Sequence, residues 1–300
     1  MASLPTRIFA GSASQVLGTR IATACGQHLG SLKLWRFSDG ELYPVFQEPI
    51  RDVQVVLIQA TYPPAEHSME LLLMIDAAKR AGACQVIVVA PYLGYMRQDK
   101  AHDLGGSIGA RLQANLLTTA GADRLLACDP HTEKLSSFFR GPVDQLTSLP
   151  VFVPYINKLA LKKLVFAAPD AGGMSRVECY AQHFGTDLVV CNKQRTGPNE
   201  IAKVHVTGNI QGADVILVDD IVDTGHTLCK AAEQLQIQGA RSVRALCTHP
   251  ILSGLAYQNL EASALEELVV TDTIPLKQTS SKINLVSMAI PFAEAIQQLT

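Results

Sequence analysis

The stretch VILVDDIVDTGHTL, residues 215–228, decides the fold. Its first four residues are apolar and mostly β-branched, which suits a strand buried on both faces, as in a parallel sheet covered by helices. The adjacent carboxylates Asp219 and Asp220 then fall where the strand is expected to leave the sheet, at the carboxyl edge where open α/β folds bind ligands. Asp223 opens the turn Thr224-Gly225-His226-Thr227, and the residues beyond, LCKAAEQLQIQGA, have helical period. Thr224 or Thr227 is expected to cap that helix. A helix start offers free backbone N–H groups and the positive end of the helix dipole, so an anion, most simply a phosphate, belongs there. The acids repel a phosphate; as acceptors they suit neighbouring hydroxyls, or a hard cation such as Mg²⁺. Phosphate and vicinal hydroxyls together describe a ribose phosphate. An Asp-Thr-Gly turn also occurs in aspartic proteases, but those need two such loops in an all-β chain, and this chain has one among α/β signals.

The same grammar recurs outward from this stretch. Short apolar runs at 53–59, 85–91, 124–129, 163–170, 187–192 and 267–272 read as further buried strands. Helical stretches lie between several of them, as at 65–82, where Met69, Leu72, Leu73 and Ile75 mark the pattern and Gly82 is placed to stop the helix. Strand, helix and strand in alternation predict an α/β chain with mainly parallel sheets flanked by helices. Three segments, AGACQVIVVAPY (81–92), AGADRLLACDPH (120–131) and QGARSVRALCTHP (238–250), echo one another, a modest sign of duplication because any helix-to-strand connection reuses glycine. Three hundred residues favour two domains of about 100 to 200 residues each. The proline-spaced segment 141–154 is the expected boundary, giving domains 1–146 and 147–300.

Composition narrows the partners. Charged residues are 17% of the chain, the net charge is −2 and no like-charge block occurs, which speaks against disorder and a general nucleic-acid surface. Small molecules and further subunits are the expected partners. The seven cysteines are scattered, with no CxxC spacing, and read as reduced, mostly buried thiols. The N-terminus lacks a basic-then-apolar signal pattern and no apolar run nears the ~20 residues a membrane helix needs, so the expectation is a cytoplasmic protein without a membrane partner.

With these residues in view, VDDIVDTGHTL resembles the phosphoribosyl-pyrophosphate loop shared by type I phosphoribosyltransferases and ribose-phosphate pyrophosphokinases. RFSDGEL (36–42), GYMRQDK (94–100), CDPHTEKLSSFF (128–139), APDAGGMSR (168–176), NKQRTGPNE (192–200) and THPILSGLA (248–256) resemble the second family, in its order, over nearly the whole chain. The resemblance implies two tandem phosphoribosyltransferase-like domains and transfer of the β,γ-pyrophosphoryl group of Mg-ATP to the 1-hydroxyl of ribose 5-phosphate. It implies that Lys193 and Arg195 grip the transferring group from a catalytic loop. Phe37, Asp39 and Glu41 would meet adenine from a neighbouring subunit, with Arg97 and Gln98 on its other side and His131 on the ATP phosphates and metal. Asp170 would meet Mg²⁺, with Gly172 and Gly173 cradling pyrophosphate. Asp219 and Asp220 would hold the ribose hydroxyls, and Asp223, Thr224, Gly225, His226 and Thr227 the 5-phosphate. Many family members have Gly where His226 stands, so its side chain is expected to face solvent. An active site shared between subunits makes the protein a homo-oligomer.

Two departures bear on regulation. AHDLGGSIGAR (101–111) replaces the family's basic segment, and AEAIQQLT ends the sequence where the phosphate-activated class has a further tail. Weak or absent phosphate activation and ADP inhibition are expected. Two rival readings remain: a phosphoribosyltransferase spending the activated sugar on a base, which leaves FSDGE, RQD and PDAGG unexplained, and a silent regulatory homologue, which typically loses the catalytic-loop residues present here.

Overall fold

The computed structural model describes residues 5–101, 103–194 and 203–299, with the side chains of 192–194 and 203–205 left aside. It divides into two compact units. The first comprises the described residues up to Ser148, Thr273–Pro275 and those from Ser287 on; the second comprises those of Leu149–Asp272 and Leu276–Val286. The division thus falls between Ser148 and Leu149, and the last helix belongs to the first unit rather than to a domain running from 147 to 300.

The first unit contains β1 (Thr6–Ala10), α1 (Gln15–Ala24), β2 (Leu32–Arg36), β3 (Leu42–Phe46), β4 (Gln54–Ile58), α2 (Glu66–Arg80), β5 (Gln85–Ala90), α3 (Gly109–Ala120), β6 (Arg124–Cys128), α4 (Leu135–Phe138) and β7 (Val143–Leu146). Its main sheet is parallel throughout, in the order β1-β4-β5-β6-β7. β4 is buried at every position, as its unbroken apolar run predicts. β2 and β3 form a separate antiparallel hairpin closed by residues 37–41. On α2 the buried apolar residues are Leu71, Met74, Ile75 and Ala78, and Met69 is exposed, so the apolar stripe is rotated from the one expected. Gly82 follows its end with φ +88° and donates to Lys79 O, the left-handed stop that glycine supplies.

The second unit contains α5 (Leu149–Ile156), β8 (Leu164–Ala168), α6 (Met174–Phe184), β9 (Leu188–Gln194), β10 (Lys203–Thr207), β11 (Asp214–Val222), α7 (His226–Ile237), β12 (Ser242–Pro250), α8 (Ala256–Glu261), β13 (Leu268–Thr271) and β14 (Ile283–Val286). The last helix, α9 (Ala289–Leu299), closes the first unit and packs on α1. The second sheet runs β10-β9-β8-β11-β12-β13-β14, parallel except for β10 against β9. Apolar side chains fill both faces, Phe166, Val177 and Tyr180 on one and Val215, Leu217, Leu228 and Leu235 on the other. The expected boundary segment is not an open linker, because β7 and α5 occupy most of it.

From β8 the chain crosses through α6 to β9 on one side, and β11 lies on the other side of β8. The gap between the carboxyl ends of β8 and β11 is therefore a topological switch point, where open α/β sheets bind ligands. Among the described residues the first sheet has none, since its strands follow one another in sequence order.

Candidate functional site

The switch point gathers three of the predicted segments. β11 pairs with β8 only as far as Leu217↔Ala167, but with β12 through Val222↔Pro250. Asp219 and Asp220 hence lie inside β11 rather than past its end: β12 is equally long and keeps pairing, and β8 has already turned away. The Asp220 N–H donates to Asp219 Oδ1 at 2.9 Å, and the Asp220 side chain is almost wholly buried. Burial first, then the neighbouring Asp220 carboxyl, holds the Asp219 carboxyl well above the usual carboxylate range, and Arg176 opposes both. Arg176 Nη1 on α6 is 3.3 Å from Asp220 Oδ1 and 3.6 Å from Asp219 Oδ1. Nothing in its spacing assigned Arg176 a role; it stands within APDAGGMSR, and its partners lie on another element.

Beyond β8, the Asp170 carboxylate caps the short turn Ala171–Gly173, accepting from Gly172 N at 2.9 Å. A Cβ at Gly172 would meet only Asp170 Oδ1, at 3.2 Å, and one at Gly173 only ordinary neighbours at 3.8 Å. Packing therefore demands neither glycine. Asp170 and Gly172 are exposed.

Beyond β11, α7 starts differently from expectation. Gly225, rather than either threonine, is the cap residue, with φ +73° and no side-chain cap bond. The loop is held from behind, because Ser253 N donates to Asp223 O at 3.0 Å, Ser253 Oγ to Asp223 Oδ1, and Asn259 Nδ2 to Thr224 O at 2.9 Å. Thr224 and His226 are exposed, so the loop and the open first turn of α7 present amides and a hydroxyl outward.

The first unit holds the other predicted residues. Phe37 is 54% exposed at the hairpin tip, its ring 5.7 Å from Tyr43. Asp39 Oδ1 accepts from Glu41 N at 3.0 Å, and Arg36 Nη1 donates to Gly40 O at 2.8 Å, fixing the turn. Arg97 and Gln98 are exposed after β5, and His131 is exposed after β6. These two loops are tied together: Asp99 Oδ2 accepts from Thr132 Oγ1 at 3.1 Å and from Lys134 Nζ at 2.9 Å. The Lys134 bond is the main reason the Asp99 carboxyl is held below its usual range. Lys193 lies in β9, and Arg195 lies outside the described residues.

Among the described residues no cluster of three His, Cys, Asp or Glu side chains could hold a metal by itself. The cysteines form no disulfide; Cys128, Cys191 and Cys247 are buried, whereas Cys84 and Cys179 are exposed, fewer buried thiols than expected. No described helix is long and apolar enough to cross a membrane.

Comparison with known proteins identifies the family. The family profile for the N-terminal domain of ribose phosphate pyrophosphokinase matches residues 6–121, and that for the phosphoribosyl synthetase-associated domain matches 165–300. The ribose-phosphate pyrophosphokinase of Porphyromonas gingivalis is 43% identical over 97% of this chain and 94% of its own. That of Wolinella succinogenes is 44% identical over 98% and 95%. The crystal structure of phosphoribosylpyrophosphate synthetase from Mycobacterium smegmatis superposes with a TM-score of 0.91 at 33% identity, covering 98% of each chain. Matched along nearly its whole length in sequence and in fold, the chain belongs to the ribose-phosphate pyrophosphokinase family.

Proposed function

We propose that the protein transfers the β,γ-pyrophosphoryl group of Mg-ATP to the 1-hydroxyl of ribose 5-phosphate, giving 5-phosphoribosyl 1-pyrophosphate and AMP. The observation that carries this reading is the switch point, where an acid pair, an exposed acid–glycine turn and an open helix start meet at neighbouring strand ends. Asp219 and Asp220 accept hydrogen bonds from the sugar's 2- and 3-hydroxyls, and the amides and hydroxyls of 223–227 hold the 5-phosphate. That leaves the 1-hydroxyl oxygen to lose its proton to solvent and bond to the β-phosphorus as the bond to the bridging α–β oxygen breaks, the oxygen leaving with AMP. Such a displacement needs positioning and charge neutralisation more than covalent help. Lys193 and Arg195 supply cations to the moving group.

Mg²⁺ takes oxygen ligands and often only one or two carboxylates besides substrate phosphates, so the exposed Asp170 fits an ion brought in with the nucleotide, with His131 as the second expected contact. Once bound, the ion neutralises phosphate charge. Phe37, Asp39 and Glu41 receive adenine for a neighbouring subunit, opposite Arg97 and Gln98; the exposed aromatic ring and the two fixed loops support this. The active enzyme is then a homo-oligomer. Replacement of the basic segment by residues 101–111 supports weak or absent phosphate activation and ADP inhibition.

The test is incubation with ATP, Mg²⁺ and ribose 5-phosphate, with and without added phosphate. AMP and 5-phosphoribosyl 1-pyrophosphate should form together at rates that phosphate changes little. No AMP would refute the reaction, and consumption of 5-phosphoribosyl 1-pyrophosphate with a free base would indicate a phosphoribosyltransferase.

A further inference from the structure

Asp219 and Asp220 are successive residues of one strand, whose side chains ordinarily point to opposite faces. Here both Oδ1 atoms come within 3.6 Å of one guanidinium nitrogen, so the carboxyl groups converge just past the stretch of β11 that pairs with β8. Convergent buried carboxyls resist double ionisation, and one would keep its proton. A protonated carboxyl donates a hydrogen bond where a sugar hydroxyl paired with a carboxylate needs an acceptor.

Arg176 counters this from a fixed place. It stands in the first turn of α6, whose Val177, Tyr180 and Ala181 are buried against the sheet, so the helix cannot roll to release it. Its side chain is 21% exposed, as is that of Asp219, and Asp220 lies deeper at 4%. A guanidinium stays charged at any working pH, and its donors span two acceptors at once.

We infer that Arg176 is a positioning residue for ribose 5-phosphate: it holds Asp219 and Asp220 together as an ionised, two-acceptor pair aimed at the sugar's vicinal hydroxyls. This rests on the reaction proposed above, and it adds a residue acting through the acids rather than on the substrate. A purely structural ion pair would leave sugar recognition untouched, so the two roles separate by measurement.

The experiment compares Arg176→Met and Arg176→Lys with the unaltered protein. In the Met variant the KM for ribose 5-phosphate should rise roughly tenfold or more while that for ATP stays within about twofold. Lysine should restore a good part of the loss, since it returns the charge without the planar fork. Calorimetric titration with ribose 5-phosphate alone should show the same loss of affinity with no chemistry involved. If the unaltered protein binds the sugar phosphate yet makes no AMP, the proposed reaction fails, and the affinity lost in Arg176→Met still decides this inference. Unchanged sugar-phosphate affinity in Arg176→Met overturns it. A lowered unfolding midpoint with both KM values shifted alike, and no rescue by lysine, overturns it as well.

Discussion

The two sheets are alike in their strands and different at their carboxyl ends. In the first unit the strands follow one another without reversal, and the ends of β1 and β4 are filled by the protein's own polar groups: Glu70 Oε1 accepts from Ser12 N at 2.6 Å, and Gln59 Oε1 from Ala13 N at 3.1 Å. Gln59 and Glu70 are buried, and a Cβ on Gly11 would lie 2.5 Å from Gln59 Oε1. In the second unit the order reverses between β8 and β11, and the same level of the sheet carries an acid pair, an exposed turn and an open helix start. Where the strands run in order, the ends of β1 and β4 are closed by Gln59 and Glu70, and where the order reverses, an exposed turn and an acid pair line the place at which open α/β sheets bind ligands.

Breaking the acid pair tests this most severely. Asp219→Asn and Asp220→Asn should each lower kcat/KM for AMP formation at least ~100-fold, a loss of about 2.7 kcal/mol, with the fold kept. The comparable change in the first unit, Glu70→Gln, should act on stability instead, because Glu70 serves only the backbone and hydroxyl of Ser12 among the contacts described. Steady-state kinetics beside thermal unfolding separate the two, and equal effects on both quantities at both sites would erase the distinction.

Two glycines sharpen it. Gly11→Ala has no room beside buried Gln59 and should cost about 1–3 kcal/mol of stability, as overpacking does. Gly172→Ala meets only Asp170 Oδ1, at 3.2 Å, so stability should barely change, while a methyl group at the exposed turn should slow turnover roughly tenfold. Unfolding in urea and the AMP assay on both variants give the answer; a stable, active Gly11→Ala would mean the first unit's strand end is looser than its contacts indicate.

How far the sequence carried this picture depended on range. The central strands were legible because each is one unbroken apolar run; β2, with the burial of a half-exposed ribbon, and the short β1, β7, β10 and β14 offered no such run. The acids and the turn were legible because they follow an apolar run, Val215–Val218, within a few residues. The helix cap was misplaced because threonine is the common solution, and only the backbone shows that Gly225 takes a left-handed conformation instead. The extent of β11 depended on the length of β12, a pairing that no local pattern encodes. Arg176 depended on α6 packing against β11, and the last helix on the chain returning to the first unit, both matters of tertiary arrangement.

The two ends of β11 offer a smaller contrast within one strand. Asp214, at its amino end, accepts from Arg241 Nε at 2.9 Å, Ser242 Oγ at 2.7 Å and Lys162 N at 2.9 Å. Burial works against its charge, but the bonds from Arg241, Ser242 and Lys162 outweigh it and leave the carboxyl at about 2. A folded value below the unfolded one stabilises the protein above the unfolded pKa of about 4, and that contribution, about 2 kcal/mol, is lost as pH falls towards 2. Urea unfolding across that window should show the loss, and Asp214→Asn should flatten it. Asp219 has the opposite sign, its raised carboxyl favouring the protonated form in the fold.

The smallest effect is expected at His226. It is exposed at the first position of α7, and the turn before it is made by Gly225 and braced by Ser253 and Asn259. The phosphate reading needs backbone amides at this position, and His226→Ala leaves the amide and improves helix propensity by a few tenths of a kcal/mol. Activity with ribose 5-phosphate should therefore stay within about twofold of the unaltered protein. A tenfold rise in KM for ribose 5-phosphate in His226→Ala, restored in His226→Lys, would instead place the side chain on the phosphate and make the loop a side-chain cradle rather than a backbone one.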